Sequence, residues 1–176
     1  MRRLLWTIPV LALAALIGCG SSSSSTNERV PAGSAAMVPI EKEIEASAGK
    51  VVLIDFWAMW CQPCVRKFPT IVKFHNRYAD KGLTVFTVSL DDLDDSAGVQ
   101  EFLESRGARF KNILMGQPSR EDDKAIRQRF GFRGSIPHMV LLNKKGEKVW
   151  DSSTKPVNEA EFAERVDEMI QTELAK

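Results

Sequence analysis

Seven residues, Val51-Val52-Leu53-Ile54-Asp55-Phe56-Trp57, run almost directly into Trp60-Cys61-Gln62-Pro63-Cys64. A continuous apolar run of β-branched and aromatic residues at this length reads as a strand buried on both faces. Such strands belong to sheets covered by helices on both sides. Beyond Gln62 the apolar positions Phe68, Ile71, Val72 and Tyr78 change to helical spacing. The chain is therefore constrained to an α/β fold with a cysteine pair at a strand-to-helix turn. Two cysteines three apart on the first turn of a helix can close a short disulfide. A helix N-terminus favours negative charge, so it stabilises a thiolate. The thiolate is the form that attacks disulfides. Such a turn exposes its first cysteine and buries its second, which makes Cys61 the nucleophile and Cys64 the resolving thiol. Pro63 lacks a backbone donor and fits the helix start.

The remaining elements follow from periodicity. Residues 40–48 suit a short helix ended by Gly49, and 62–80 a longer one kinked at Pro69. Leu83 to Leu90 reads as a second strand, Ser96 to Arg106 as a helix stopped by Gly107. Ser119 and Asp122 form a capping-box-like start to another helix, which Gly131 closes. Met139–Leu142 and Val149–Trp150 read as a hairpin through Asn143-Lys144-Lys145-Gly146. Phe162, Val166, Ile170 and Leu174 mark one apolar helical face. The expected fold is an α/β sandwich with a mixed central sheet: parallel strands joined by helices, then an antiparallel edge.

At 176 residues there is room for one ordinary domain plus appendages. Arg2 and Arg3 precede an apolar run from Leu4 to Ile17, and no acid occurs before Glu28. The run is too short to span a bilayer, which takes about 20 residues. It reads as an export signal over residues 1–18. Its loss changes the net charge from +1 to −1, with no basic footprint for nucleic acid. Leu16-Ile17-Gly18-Cys19 resembles the lipobox of bacterial lipoproteins, in which the cysteine is lipidated and becomes the first mature residue. Residues 20–36, rich in serine, have little to bury and read as a flexible tether reaching roughly 23 Å. The expected division is signal peptide 1–18, lipidated Cys19 with tether to 36, and a folded domain over 37–176.

The stretch from Val51 through Cys64 resembles the active-site strand and turn of thioredoxins. Ser135-Ile136-Pro137, ahead of a strand, resembles the cis-proline loop of that fold. The resemblance spans about residues 38–175. With the longer middle segment, Phe68-Pro69 and the anchor, it points to the exported, membrane-tethered TlpA/ResA branch. It implies a thioredoxin fold with a mid-chain insertion and a redox-active Cys61–Cys64 disulfide. It also implies a buried acid, Asp55, that moves the proton of Cys64, and substrate binding by Trp60, Ile136 and Pro137. Burial is expected to raise the Asp55 pKa toward neutrality. Where that family carries a lysine partner for the acid, this chain has Thr87, so Asp55 is expected to lack a cation. Two departures weaken any link to cytochrome c maturation. Residues 37–50 look helical rather than hairpin-like, and Gln62 replaces a glutamate between the cysteines.

Other chemistries fit less well. Structural zinc takes about four ligands, and beyond the pair there are only His75, His138 and acids. A copper carrier spaces its cysteines differently. A peroxiredoxin needs a threonine three residues before its cysteine, where this chain has Ala58. A purely structural disulfide constrains little at this spacing. No metal and no tightly bound cofactor is expected. Asp91, Asp92, Asp94 and Asp95 read as a solvated loop, and His75 as structural or exposed. His138 has two readings, a residue tuning the dithiol or an exposed strand position. Arg66 and Lys67 add modest thiolate stabilisation, and Trp57 reads as core. The expected function is a membrane-anchored, extracytoplasmic thiol–disulfide oxidoreductase that reduces disulfides of exported proteins. A membrane protein restores its dithiol, because an export compartment offers no thiol pool. The alternatives are an oxidase or isomerase, or a non-catalytic binding or metal-handling module.

Overall fold

The computed structural model describes residues 27–29, 37–116 and 118–176, so the export signal and Cys19 lie outside the described residues. Its strands are β1 (Asn27–Arg29), β2 (Val51–Trp57), β3 (Leu83–Ser89), β4 (Lys111–Leu114), β5 (His138–Leu142) and β6 (Lys148–Asp151). Its helices are α1 (Met37–Ala46), α2 (Gln62–Tyr78), α3 (Ser96–Ser105), α4 (Arg120–Phe130) and α5 (Phe162–Leu174). The sheet order is β1-β4-β3-β2-β5-β6. β1 to β4 run parallel to one another, whereas β5 pairs antiparallel with both β2 and β6. This is the expected mixed sheet with an antiparallel edge.

β2 is central and all seven of its residues are buried. Alternation sends Leu53, Asp55 and Trp57 to one face, Val52, Ile54 and Phe56 to the other. The first face packs under α2, α3 and α5 through Phe68, Ile71, Val99, Leu103, Phe162 and Val166. The second is covered by α1 and α4 through Ile40, Ile44, Ile126 and Phe130. On the first face Trp57 packs 4.7 Å from Phe68 and 4.9 Å from Phe102, centroid to centroid. Such pairs add about 0.5–1.5 kcal/mol each beyond burial.

Several boundaries differ from expectation for identifiable reasons. α1 begins earlier, at Met37. α2 stops at Tyr78, where a 3-10 turn, Ala79–Lys81, closes on Gly82 at φ 100°. α2 runs through Pro69 as one element. Its missing N–H leaves the Val65 carbonyl without an intrahelical donor. β4 was not expected, because Lys111 and Asn112 dilute its apolar signal. β1 is a further difference. Three residues of the stretch read as tether pair with β4 at the sheet edge, Asn27 opposite Asn112. The Ser119 hydroxyl caps α4 as expected, accepting from Asp122 N–H at 3.1 Å and donating to its carboxylate at 2.7 Å.

Gly131 ends α4 in the left-handed region at φ 76°, its N–H donating to the Arg127 carbonyl. A Cβ there meets the Asp151 carboxylate, 2.8 Å from Oδ2 and 3.0 Å from Oδ1. Asp151 has no room to yield, because Lys148 Nζ at 2.8 Å and Thr154 Oγ1 at 2.7 Å hold it. Gly49 has a similar φ of 80° but nothing within 4 Å of its Cβ position. Gly131→Ala is expected to cost about 2–4 kcal/mol, conformational strain plus overlap. Gly49→Ala is expected to cost only the strain, about 1–2 kcal/mol. Urea unfolding of the two variants checks the difference.

Candidate active site

The turn after β2 is set by three hydrogen bonds. Cys61 N–H donates to the Ala58 carbonyl at 3.1 Å. Met59 N–H donates to both oxygens of Asp91, at 3.0 and 3.2 Å. Cys61 is then the N-cap of α2, with extended backbone at φ −85° and ψ 92°. Its Sγ accepts from Cys64 N–H at 3.3 Å. Gln62 and Pro63 open the helix, where Pro63 forfeits no intrahelical bond. Cys61 and Cys64 are joined as a disulfide with Cα atoms 5.2 Å apart. Both sulfur-bearing residues are buried, Cys61 at 5% exposure and Cys64 at 1%. The outer cysteine is thus only slightly more accessible than the inner one. Trp60 beside them is 62% exposed, the one large exposed hydrophobic residue among those described.

Asp55 lies on the same sheet face as Trp57, in the layer that holds the cysteines and α2. It is 2% exposed, and its Oδ1 has no hydrogen-bond partner among the described residues. Burial pushes its pKa up to about 8, and the Lys67 ammonium opposes that rise. Lys67 corrects one expectation, since a cation from α2 does act on Asp55. Thr87 is the cross-strand neighbour of Asp55, as the sequence alignment implied. Its hydroxyl, however, donates to Asn112 Oδ1 at 2.7 Å. Trp57 Nε1 donates to the same oxygen at 3.1 Å.

The Ile136–Pro137 bond is cis. Phe56 pairs with His138 at the end of the β2–β5 ladder, so the loop that carries Pro137 stands at the sheet end where β2 leads into Cys61. Ile136 packs against the core layers on both sheet faces. The loop expected to face the dithiol therefore lies at the same end of the sheet as Cys61. His138 fits neither of its expected readings. Its ring is fully buried on the opposite sheet face, 5.6 Å from Phe56 and 5.4 Å from Phe132. Nε2 faces the Phe130 carbonyl at 3.1 Å and Nδ1 the Ser153 hydroxyl at 2.9 Å. Burial lowers its pKa, which keeps it a neutral structural group. His75 is half-buried against Phe110, at 5.4 Å between rings.

Asp91 also departs from expectation. It is 1% exposed rather than solvated, and it braces the turn before Cys61. Ser89 Oγ donates to it as well. Burial raises its pKa, while the bonds from Ser89 and Met59 oppose the rise. Sequence reasoning missed both Asp91 and Asn112. The signal for Asp91 was its place at the end of an apolar strand, although Asp92 follows it directly. Asn112 carried no signal, because β4 itself was not recognised.

The Redoxin family profile matches residues 25–168. The chain is 26% identical over 107 residues to thiol-disulfide oxidoreductase ResA of Bacillus thuringiensis, covering 61% of this chain and 57% of that protein. It is 30% identical over 107 residues to thioredoxin-like protein YneN of Bacillus subtilis, covering 60% and 58%. It thus spans less than two thirds of the length of these curated relatives. Among solved structures it matches, at TM-score 0.58 and 26% identity, a Chlorobium tepidum protein assigned as thiol:disulfide interchange protein DsbE. That match covers 74% of this chain and 84% of the other. The fold is thioredoxin-like.

An unfolded aspartate ionises near pH 4, the folded Asp55 only near 8. The native state therefore binds a proton that the unfolded state releases between those values, and its stability falls across that window as pH rises. Above pH 8 the loss levels off. Asp55→Asn removes this dependence. Relative to wild type, the variant is expected to gain stability steadily from pH 4 to 8, by on the order of 5 kcal/mol in total. Urea midpoints at pH 4.5, 6.5 and 8.5 for both proteins measure the gain.

Proposed function

Because the chain belongs to the Redoxin family, we propose that it is a thiol–disulfide oxidoreductase acting through Cys61 and Cys64. The observation that carries this reading is the placement of the pair. It caps α2, belongs to the core layer on the sheet face that carries the buried acid Asp55, and shares a sheet end with the cis Ile136–Pro137 bond.

In the reduced protein the Cys61 thiolate sits at the helix N-terminus, which favours its charge. It attacks one sulfur of a substrate disulfide. A Cys61–substrate disulfide forms, and the other substrate sulfur leaves as a thiolate. Cys64 then loses its proton to the ionised Asp55 carboxylate and attacks Cys61 Sγ. The mixed disulfide breaks, the second substrate sulfur leaves, and the Cys61–Cys64 disulfide closes. Two electrons have passed to the substrate. A donor dithiol returns them by the reverse sequence, in which protonated Asp55 gives its proton to the departing Cys64 thiolate. Trp60 offers an exposed aromatic surface to the partner, and Ile136 and Pro137 hold its backbone in extended form. No metal or organic cofactor takes part.

The direction proposed is reduction of exported proteins in an extracytoplasmic space, with a membrane protein as donor. The anchor is a lipid on Cys19. Seven residues, 20–26, separate that cysteine from β1, which limits the reach between them to roughly 25–30 Å at full extension. No helix among the described residues is long and apolar enough to cross a membrane.

Cys64→Ser, which cannot resolve the intermediate, accumulates mixed disulfides with exported proteins that thiol reagents release, whereas Cys61→Ser accumulates none. Mass spectrometry of non-reduced membrane extracts detects them. A potential near −270 mV supports the reducing direction, and one near −120 mV makes the protein an oxidant. The resolution step is expected to accelerate with pH until about 8, following ionisation of Asp55. Asp55→Asn flattens that profile and slows the step about 100-fold near pH 8. Stopped-flow tryptophan fluorescence follows both.

A further inference from the structure

Pro137 lines a groove of about 360 Å³ that continues away from the cysteine pair between α2 and the β6–α5 connection. Its floor is apolar, formed by Trp150 and Phe162, both nearly buried. Two charged side chains line it, Lys67 and Arg133, and both are cationic. Among the described residues neither forms an ion pair with a carboxylate. Lys67 Nζ instead stands 4.8 Å from the Phe162 ring centroid. Two other cavities each hold charges of both signs. One has Arg165 with Glu168 and Glu173, the other has Lys73 and Arg77 with Glu164 and Asp167. In the second of these, Arg77 meets Asp167 at 3.0 Å. The groove beside the cis-proline differs from both in holding cations without a carboxylate.

The wall of the groove is held in shape. Asp151 turns away from it and accepts from Ser153 N–H at 3.1 Å and Thr154 N–H at 2.8 Å. Trp150 Nε1 donates to the Lys155 carbonyl at 2.8 Å. The Ser152 and Ser153 hydroxyls are engaged with Met139 N–H and His138. These groups are committed inside the fold, so the charge offered to a ligand is that of Lys67 and Arg133.

We propose that this groove selects substrate segments carrying an aspartate or glutamate close to the attacked disulfide. The carboxylate meets Lys67 and Arg133, and an adjacent apolar side chain covers Trp150 and Phe162. Lys67 lies six residues beyond Cys61 on α2, about 9 Å along the helix axis. An extended substrate advances about 3.3 Å per residue, so the carboxylate falls about three residues from the attacked cysteine. The inference rests on the thiol–disulfide exchange proposed above and adds the class of substrate.

The test uses the full chain, reduced, with three synthetic peptides. Each holds one cysteine in a disulfide with 2-mercaptoethanol, and they differ only in Asp, Asn or Lys three residues away. Single-turnover rates are followed by tryptophan fluorescence. At low salt the Asp peptide is expected to react about 5- to 10-fold faster than the Lys peptide, with Asn between. The preference shrinks toward unity at 1 M salt, where the screening length is about 3 Å. Arg133→Gln is expected to remove most of the preference. Arg66→Gln, which deletes the same charge at an exposed position outside the groove, keeps it. Equal rates for the three peptides overturn the proposal alone. So does an equal loss of preference in both variants, since net charge then explains it. Failure to reduce any peptide overturns the exchange reading itself, and this inference with it.

Discussion

Taking the Asp55 carboxyl out of water governs the chemistry available behind the cysteine pair. β2 is central and buried throughout, and Asp55 on it is almost wholly withdrawn from solvent. An ionised carboxylate there forfeits its hydration, and nothing nearby restores it in full. Lys67 offsets part of the cost through space. The nearest hydroxyl in the sheet, on Thr87, is turned to Asn112 instead. A donor on Asp55 would favour its charged form and draw its pKa down. Asn112 accepts from both Thr87 and Trp57, and so keeps two donors away from the acid. The outcome is a group that gains and loses a proton close to neutrality, where thiol chemistry needs one.

Three buried aspartates show how neighbours decide the fate of one side chain. Asp151 accepts from Ser153, Thr154 and Lys148, and these bonds hold it below the usual range despite burial. Asp91 accepts from Met59 and Ser89, which offset part of its burial. Asp55 has Oδ1 unpartnered and rises furthest. The first two are braces, one for the wall of the groove and one for the turn that carries Cys61. Asp55, with Oδ1 lacking a donor, is the one of the three whose pKa reaches about 8.

The β2 run and the cysteines at its end were enough to read the fold class, the central strand, the helix that follows and the position of the acid. Hydrophobic period carries that information locally. The same holds for α5, whose apolar face at Phe162, Val166 and Ile170 is the buried one. What stayed hidden is set by tertiary pairing. β4 is short and begins with Lys111-Asn112, so its place beside β3 comes from the sheet rather than from its own residues. Asp91 stands in a run of acids whose composition reads as solvent-facing, yet the Met59 N–H draws it inward. His138 follows the cis-proline, and alternation along β5 sends it to the face away from α2, which its position beside Pro137 did not reveal.

The accessibility of the site limits how a substrate reaches it. Both cysteines are nearly covered, while Trp60 next to them is not. A disulfide on a rigid convex surface therefore meets the indole before it meets Cys61 Sγ. An extended segment does not have this difficulty. It can run along the edge presented by Ile136 and Pro137 and bring one sulfur to the end of α2. Backbone contacts at such an edge bind any sequence, so they give affinity without discrimination. Side chains must supply the discrimination, and the groove lined by Pro137 carries Lys67 and Arg133 with no carboxylate. In the mechanism proposed above, the cis-proline edge and the cationic groove divide the work. One presents the disulfide in line for attack, and the other weighs what flanks it.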